Sequence, residues 1–238
     1  MTNTMPIKAK VMIGTVAVAS LCSLAFGFTN RHLPAWPQLA LLMIAAVLTS
    51  RLKVKLPGMT STMSGNMPVI LLGVTQLGLF ASLLVAVTAA IAQSFASATK
   101  MKPVQYLFNV CTLMNACAVA FFAYHSQFLL AHGGAAVTMT VAAAAYFLAN
   151  TAPVAGIIGL TEASNPVAIW HKVFLWSFPN YVIGAGLTAI ASFFSSVAGV
   201  ATVGTLMVVL FGVYKSYKMY VDQSGQSTPK TFAMAAGR

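Results

Sequence analysis

The side chains with chemical potential in this sequence are amides set inside apolar runs. Gln93, Asn109, Asn115, Asn150 and Asn180 each sit among Ala, Leu, Val and Phe, and Tyr181 follows Asn180 directly. Asn109, Thr112 and Asn115 recur at every third position, which places them along one side of a helix. Pro153 and Pro179 stand close to two of the amides, in Asn150-Thr151-Ala152-Pro153 and Phe178-Pro179-Asn180-Tyr181. A proline inside a helix removes a backbone donor and frees a carbonyl one turn earlier, so both are expected to kink their helices. The set suits hydrogen bonding and does not suit catalysis. The chain has two acidic residues, Glu162 and Asp222, so it lacks the paired carboxylates of acid–base chemistry. No histidine–acid pair is placed to activate a hydroxyl. No enzymatic activity and no cofactor are expected.

His32, His125 and His132 fall in two segments assigned to the outer side, where histidines could bind a metal or respond to acid. They are read instead as solvated loop residues. Cys22, Cys111 and Cys117 all lie in apolar runs, with no CxxC pair and no zinc-type spacing. They read as small buried hydrophobes, and no metal site is expected.

The elements that must position these groups follow from composition. Hydrophobic residues make up 59% of the 238 residues and charged residues 6%, against about 25% charged in a soluble domain. So few charges cannot coat a globular surface, and the expected solvent is lipid. The runs are continuous rather than alternating, which argues for helices and against a β-barrel. The predicted fold is all-α, a polytopic helical membrane bundle of about eight spans, within a range of six to eight. The eight runs are 11–28, 38–50, about 63–77, 79–98, 104–124, 135–160, about 173–195 and about 197–214, with loops read over His125 to Gly134 and over Thr161 to Lys172. The third is short for a span. Ala17-Val18-Ala19 loosely matches a signal-peptidase site, but the apolar run continues past it, so the first run is read as an uncleaved span.

Charge orients this parse. With a cytoplasmic N-terminus, every one of the 13 basic residues except Arg31 falls on the inner side, the asymmetry that the positive-inside rule demands. The expectation is therefore N-in and C-in, with a cytoplasmic N-terminus over 1–10, a helical membrane domain over 11–220 and a flexible cytoplasmic tail over 221–238. The location is the inner (plasma) membrane, multi-pass, with the lipid bilayer as main partner. The basic residues are dispersed between apolar runs, so nucleic acid is not a partner.

Counted from the inner ends at 1.5 Å per residue, Gln93 lies roughly 8 Å deep, Asn109 roughly 9 Å, Asn180 roughly 11 Å and Asn150 roughly 14 Å. Amides in hydrocarbon need partners, and pairs between helices contribute about 0.6–2 kcal/mol each. Two readings are open. The amides are packing links between helices, or Asn109, Asn150, Asn180 and Tyr181, with Gln93 and Asn115 nearby, line a small polar ligand pocket.

Several short stretches carry a resemblance: Val54-Lys55-Leu56-Pro57-Gly58, Tyr106-Leu107-Phe108-Asn109, Tyr146-Phe147-Leu148-Ala149-Asn150-Thr151, and Trp170-His171-Lys172-Val173-Phe174-Leu175-Trp176. Together they resemble the polytopic membrane sensor region found N-terminal to HD-GYP phosphodiesterase and diguanylate cyclase domains in bacteria, over residues 30 to 220. The resemblance implies a sensory membrane module without a catalytic domain of its own, since no HD, GGDEF or EAL motif follows Tyr220. It also implies a separate cytoplasmic signalling protein as partner. Two other classes suit the composition: a small-solute transporter or substrate-binding membrane subunit, and a structural membrane protein.

Overall fold

The computed structural model describes residues 5–31, 36–55, 62–95, 101–175, 178–198 and 200–226. Among these the chain is helical, apart from a short antiparallel ribbon of β1 (Lys53–Lys55) and β2 (Thr62–Ser64). The helices are α1 (Ile7–Thr29), α2 (Trp36–Arg51), α3 (Met67–Gln76), α4 (Leu79–Phe95), α5 (Pro103–Tyr124), α6 (Gln127–Glu162), α7 (Pro166–Ile169), α8 (Phe178–Ala198) and α9 (Val200–Gln226). A wide π-type turn over Trp170–Phe174 continues α7. Three helices, α1, α5 and α6, are long and apolar enough to cross a membrane, which is compatible with a membrane location.

The contacts fix the relative directions of the helices. Ser20 and Val16 of α1 meet Cys111 and Asn115 of α5, and further along both helices the Phe26 and Phe122 rings lie 5.7 Å apart. These two helices therefore run parallel. So do α3 and α8, which meet first at Pro68 and Thr188 and later at Thr75 and Ser192. Helices α2 and α3 run antiparallel, joined at one end by Gly65 N–H donating to the Leu52 carbonyl and at the other by Gln38 and Gln76. Gly27 lets α1 approach α4 closely: a Cβ there would lie 3.1 Å from the Phe80 backbone nitrogen.

Several expectations change. The third run is helical over only part of its length. Its first residues form β2, and α3 has only 10 residues, about 15 Å of helix. Every residue of α3 from Met67 to Val74 is buried, because α2, α4, α5 and α8 all pack on it. The segment from His125 to Gly134 is mostly helix, since Ser126 caps α6 and the helix begins at Gln127. Gly134, at φ 69°, is where α6 leaves helical geometry, in a region that glycine enters without a steric penalty.

The polar stretch from Thr161 to Lys172 is not an open loop. Helix α6 continues to Glu162, Ala163 turns the chain in the left-handed region, and Asn165 caps α7 through its side-chain oxygen. The returning chain packs back along α6: Gly159 lies against Pro166, and Trp170 reaches Thr151. Of the seventh apolar run, the first two residues close the π turn and the part from Phe178 onward lies in α8. Helix α9 runs on to Gln226, through the first residues of the segment expected to be a flexible tail. Residues 227–238 lie outside the described residues, as does His32. Cys111 and Cys117 are buried as expected, whereas Cys22 is exposed on α1.

The tight approach at Gly27 gives a direct check on α1 packing. Replacing Gly27 with Leu forces a side chain against the α4 backbone and should destabilise the protein by about 1–3 kcal/mol, read as a lowered thermal midpoint in detergent.

Candidate functional site

Four of the interior amides, Gln93, Asn109, Asn115 and Asn150, are each tied to a neighbouring element. Gln93 on α4 accepts from Asn66 Nδ2 at 3.1 Å, closing the α3–α4 hairpin at its base. Asn109 on α5 donates to Ser94 Oγ of α4 at 2.9 Å. Asn115, two turns on, donates instead to the Val16 carbonyl of α1 at 2.9 Å. The same carbonyl accepts from Ser20 Oγ, which also donates to the Cys111 carbonyl at 2.9 Å. The i, i+3 spacing on α5 thus serves α4 with one amide and α1 with another.

Asn150 and Tyr181 are brought together. The Asn150 amide on α6 donates to the Tyr181 hydroxyl on α8 at 2.9 Å. Next to it, Trp170 Nε1 of the π turn donates to Thr151 Oγ1 at 2.9 Å, and Thr151 in turn donates to the Phe147 carbonyl. Two consecutive residues of α6 therefore hold α8 and the π turn, one each. Phe147 lies between them, with its ring 5.8 Å from Trp170, 5.4 Å from Phe178 and 4.8 Å from Tyr181. The contacts with Phe178 and Tyr181 are edge-to-face, an arrangement that adds about 0.5–1.5 kcal/mol per pair.

Pro153 sits inside α6, where the backbone keeps helical geometry; the departure in this helix is at Gly134. Pro179 falls in the first turn of α8. A proline there costs no intrahelical bond and starts the helix instead of kinking it. Asn180 is in the same turn, and its side chain lies outside the described residues.

Sequence reasoning missed Asn66, Ser94, Ser20, Thr151 and Trp170 as partners. Serine and threonine are frequent throughout the apolar runs, so their identity carries little signal. The nearest clue was position, since Thr151 adjoins Asn150 and Ser94 adjoins Gln93. The histidines are locally committed: Nδ1 of His125 and of His132 each lies within 3.0 Å of the carbonyl four residues earlier. Each ring also packs on the phenylalanine of that residue.

The fold and these links define a helical protein with three membrane-length apolar helices, joined through amide, hydroxyl and indole hydrogen bonds. No family model matches the chain, and no curated protein or solved structure matches it.

The pairing of Asn150 with Tyr181 is open to a double-mutant cycle. Asn150→Leu and Tyr181→Phe should show a coupling of about 0.6–1.7 kcal/mol in unfolding free energy. Additive effects of the two changes would mean that the bond contributes nothing to stability.

Proposed function

We propose that this chain is a multi-pass inner-membrane sensory module of eight spans, N-in and C-in, whose state is read by a separate cytoplasmic signalling protein. The observation that carries the reading is the attachment of the π turn and α8 to α6. The two are held on α6 by two separate hydrogen bonds, Trp170 to Thr151 and Asn150 to Tyr181. Wide π turns inside helical segments are found frequently at functional sites. An element fixed by two discrete bonds has two discrete ways to release, which is the physical basis of a switch.

The route outward is α9. It packs against α8 and α2 and has 27 residues, about 40 Å of helix against about 30 Å of hydrocarbon. One end of α9 therefore extends beyond the bilayer on the inner side, where Lys215 is exposed. A shift of α8 against α6 reaches α9 through the packing of α8 on α9.

The eight-span reading draws support from helix direction. Spans one and five must run parallel, as must three and seven, and α1 with α5 and α3 with α8 do so. Truncated fusions to alkaline phosphatase, active only outside, should be active after Arg31 and His132. They should be inactive after Lys102 and Ser164. Activity after Lys102 would invert the second half of the chain and overturn the parse.

The sensory reading is tested by affinity purification of the intact protein from native membranes, with mass spectrometry of what accompanies it. A signalling enzyme should copurify and be lost when residues 215–226 are deleted. Recovery of a transport ATPase instead would favour a substrate-binding membrane subunit.

A further inference from the structure

Tyr146 is out of place as a structural residue. It is 1% exposed, in the core beside Cys117, and its hydroxyl has no hydrogen-bond partner among the described residues. An unpaired buried hydroxyl costs about 1–3 kcal/mol, and phenylalanine would fill the same space without that cost. The Tyr181 ring lies 6.2 Å away. Its oxygen already accepts the Asn150 amide, and a phenol that accepts one bond still has its own O–H to donate. Two phenolic donors on α6 and α8 thus neighbour one another at the start of α8.

Their surroundings restrict what they can bind. Phe147, Phe178 and Trp170 pack around Tyr181, and Phe178 is exposed, so the cluster reaches the bundle surface. No Asp, Glu, Lys or Arg occurs in α5, in α8, or in α6 before Glu162, and Lys172 of the π turn is exposed to the outside of the bundle. A charged ligand would be left without a counter-charge in a low-dielectric interior, at a cost of several kcal/mol.

We propose that Tyr146 and Tyr181 form a binding site for a neutral, flat, lipid-soluble ring compound bearing carbonyl oxygens, of quinone type. The two hydroxyls donate to its oxygens, and its ring packs among Phe147, Phe178 and Trp170. It enters from the lipid at Phe178. The proposal names the stimulus for the sensory reading and rests on that reading only for its consequence, because binding is measured without any signalling partner.

The test is titration of the purified full chain in detergent with a benzoquinone carrying a decyl tail. The control ligand is decylbenzene, which partitions equally well but has no carbonyl. Binding is followed by quenching of tryptophan fluorescence. The benzoquinone should give saturable quenching and decylbenzene none. Tyr146→Phe should weaken binding about tenfold while leaving the thermal midpoint of the unliganded protein unchanged or raised. Tyr181→Phe, at a half-buried position, should weaken binding to a similar degree. Equal affinity in the double phenylalanine variant would overturn the proposal, as would equally tight binding of decylbenzene or the lack of saturation. A raised midpoint in Tyr146→Phe with no ligand binding would overturn it too, and would leave the coupling through α9 to be judged by copurification alone.

Discussion

Everything in this structure depends on polar groups inside apolar helices finding partners on the neighbouring helix. In the proposed lipid setting there is no apolar driving force between helices, because lipid tails are as apolar as leucine. Association then rests on close packing and on hydrogen bonds that hydrocarbon cannot offer. Hydrogen bonds supply such a link at several junctions: Gln38 to Gln76 between α2 and α3, Ser50 to the Ala89 carbonyl between α2 and α4, and Asn115 to Val16 between α5 and α1. Each specifies a register as well as contributing energy. A helix that slid by one turn would leave both partners unpaired.

These links differ in what they hold. Those among α1 to α5 join α-helices directly and fix a scaffold. Those between α6 and the α7–α8 segment hold a chain that includes the π turn over Trp170–Phe174, where the backbone has already left α-helical geometry. A local rearrangement there need not break a long α-helix. This difference, rather than any single residue, separates the part of the molecule suited to support from the part suited to respond.

The helices themselves were legible in the sequence because each apolar run is bounded by Gly, Pro or charge. The turn at Gly78, the start of α5 at Pro103 and the ends of α1 and α2 fall where those signals stand. The amides were legible as groups needing partners, but their partners were not. Asn109 and Asn115 look equivalent along α5, yet one serves α4 and the other α1, because a helix presents different neighbours at different azimuths. The stretch from Thr161 to Lys172 was misread for a physical reason. Its polarity signals solvent, but Asn165 and Pro166 are also strong helix-start signals, and they bring the chain back along α6. Pro179 likewise marks the beginning of a helix and not a bend within one. The buried hydroxyl of Tyr146 left no trace in the sequence, since a tyrosine in an apolar run is ordinary until its surroundings are known.

The burial of α3 from Met67 to Val74 has a consequence for how the protein is made. In the proposed lipid setting, a helix so short and so enclosed is held by its neighbours and not by lipid. Helices α2 and α4 flank it in the chain and emerge with it, but α8, which closes its remaining side through Gly184 and Thr188, is synthesised much later. At roughly 5–20 residues per second, α3 waits on the order of ten seconds with one flank uncovered. During biogenesis that flank is a natural place for an insertion chaperone to bind, and α8 would then be the element that displaces it.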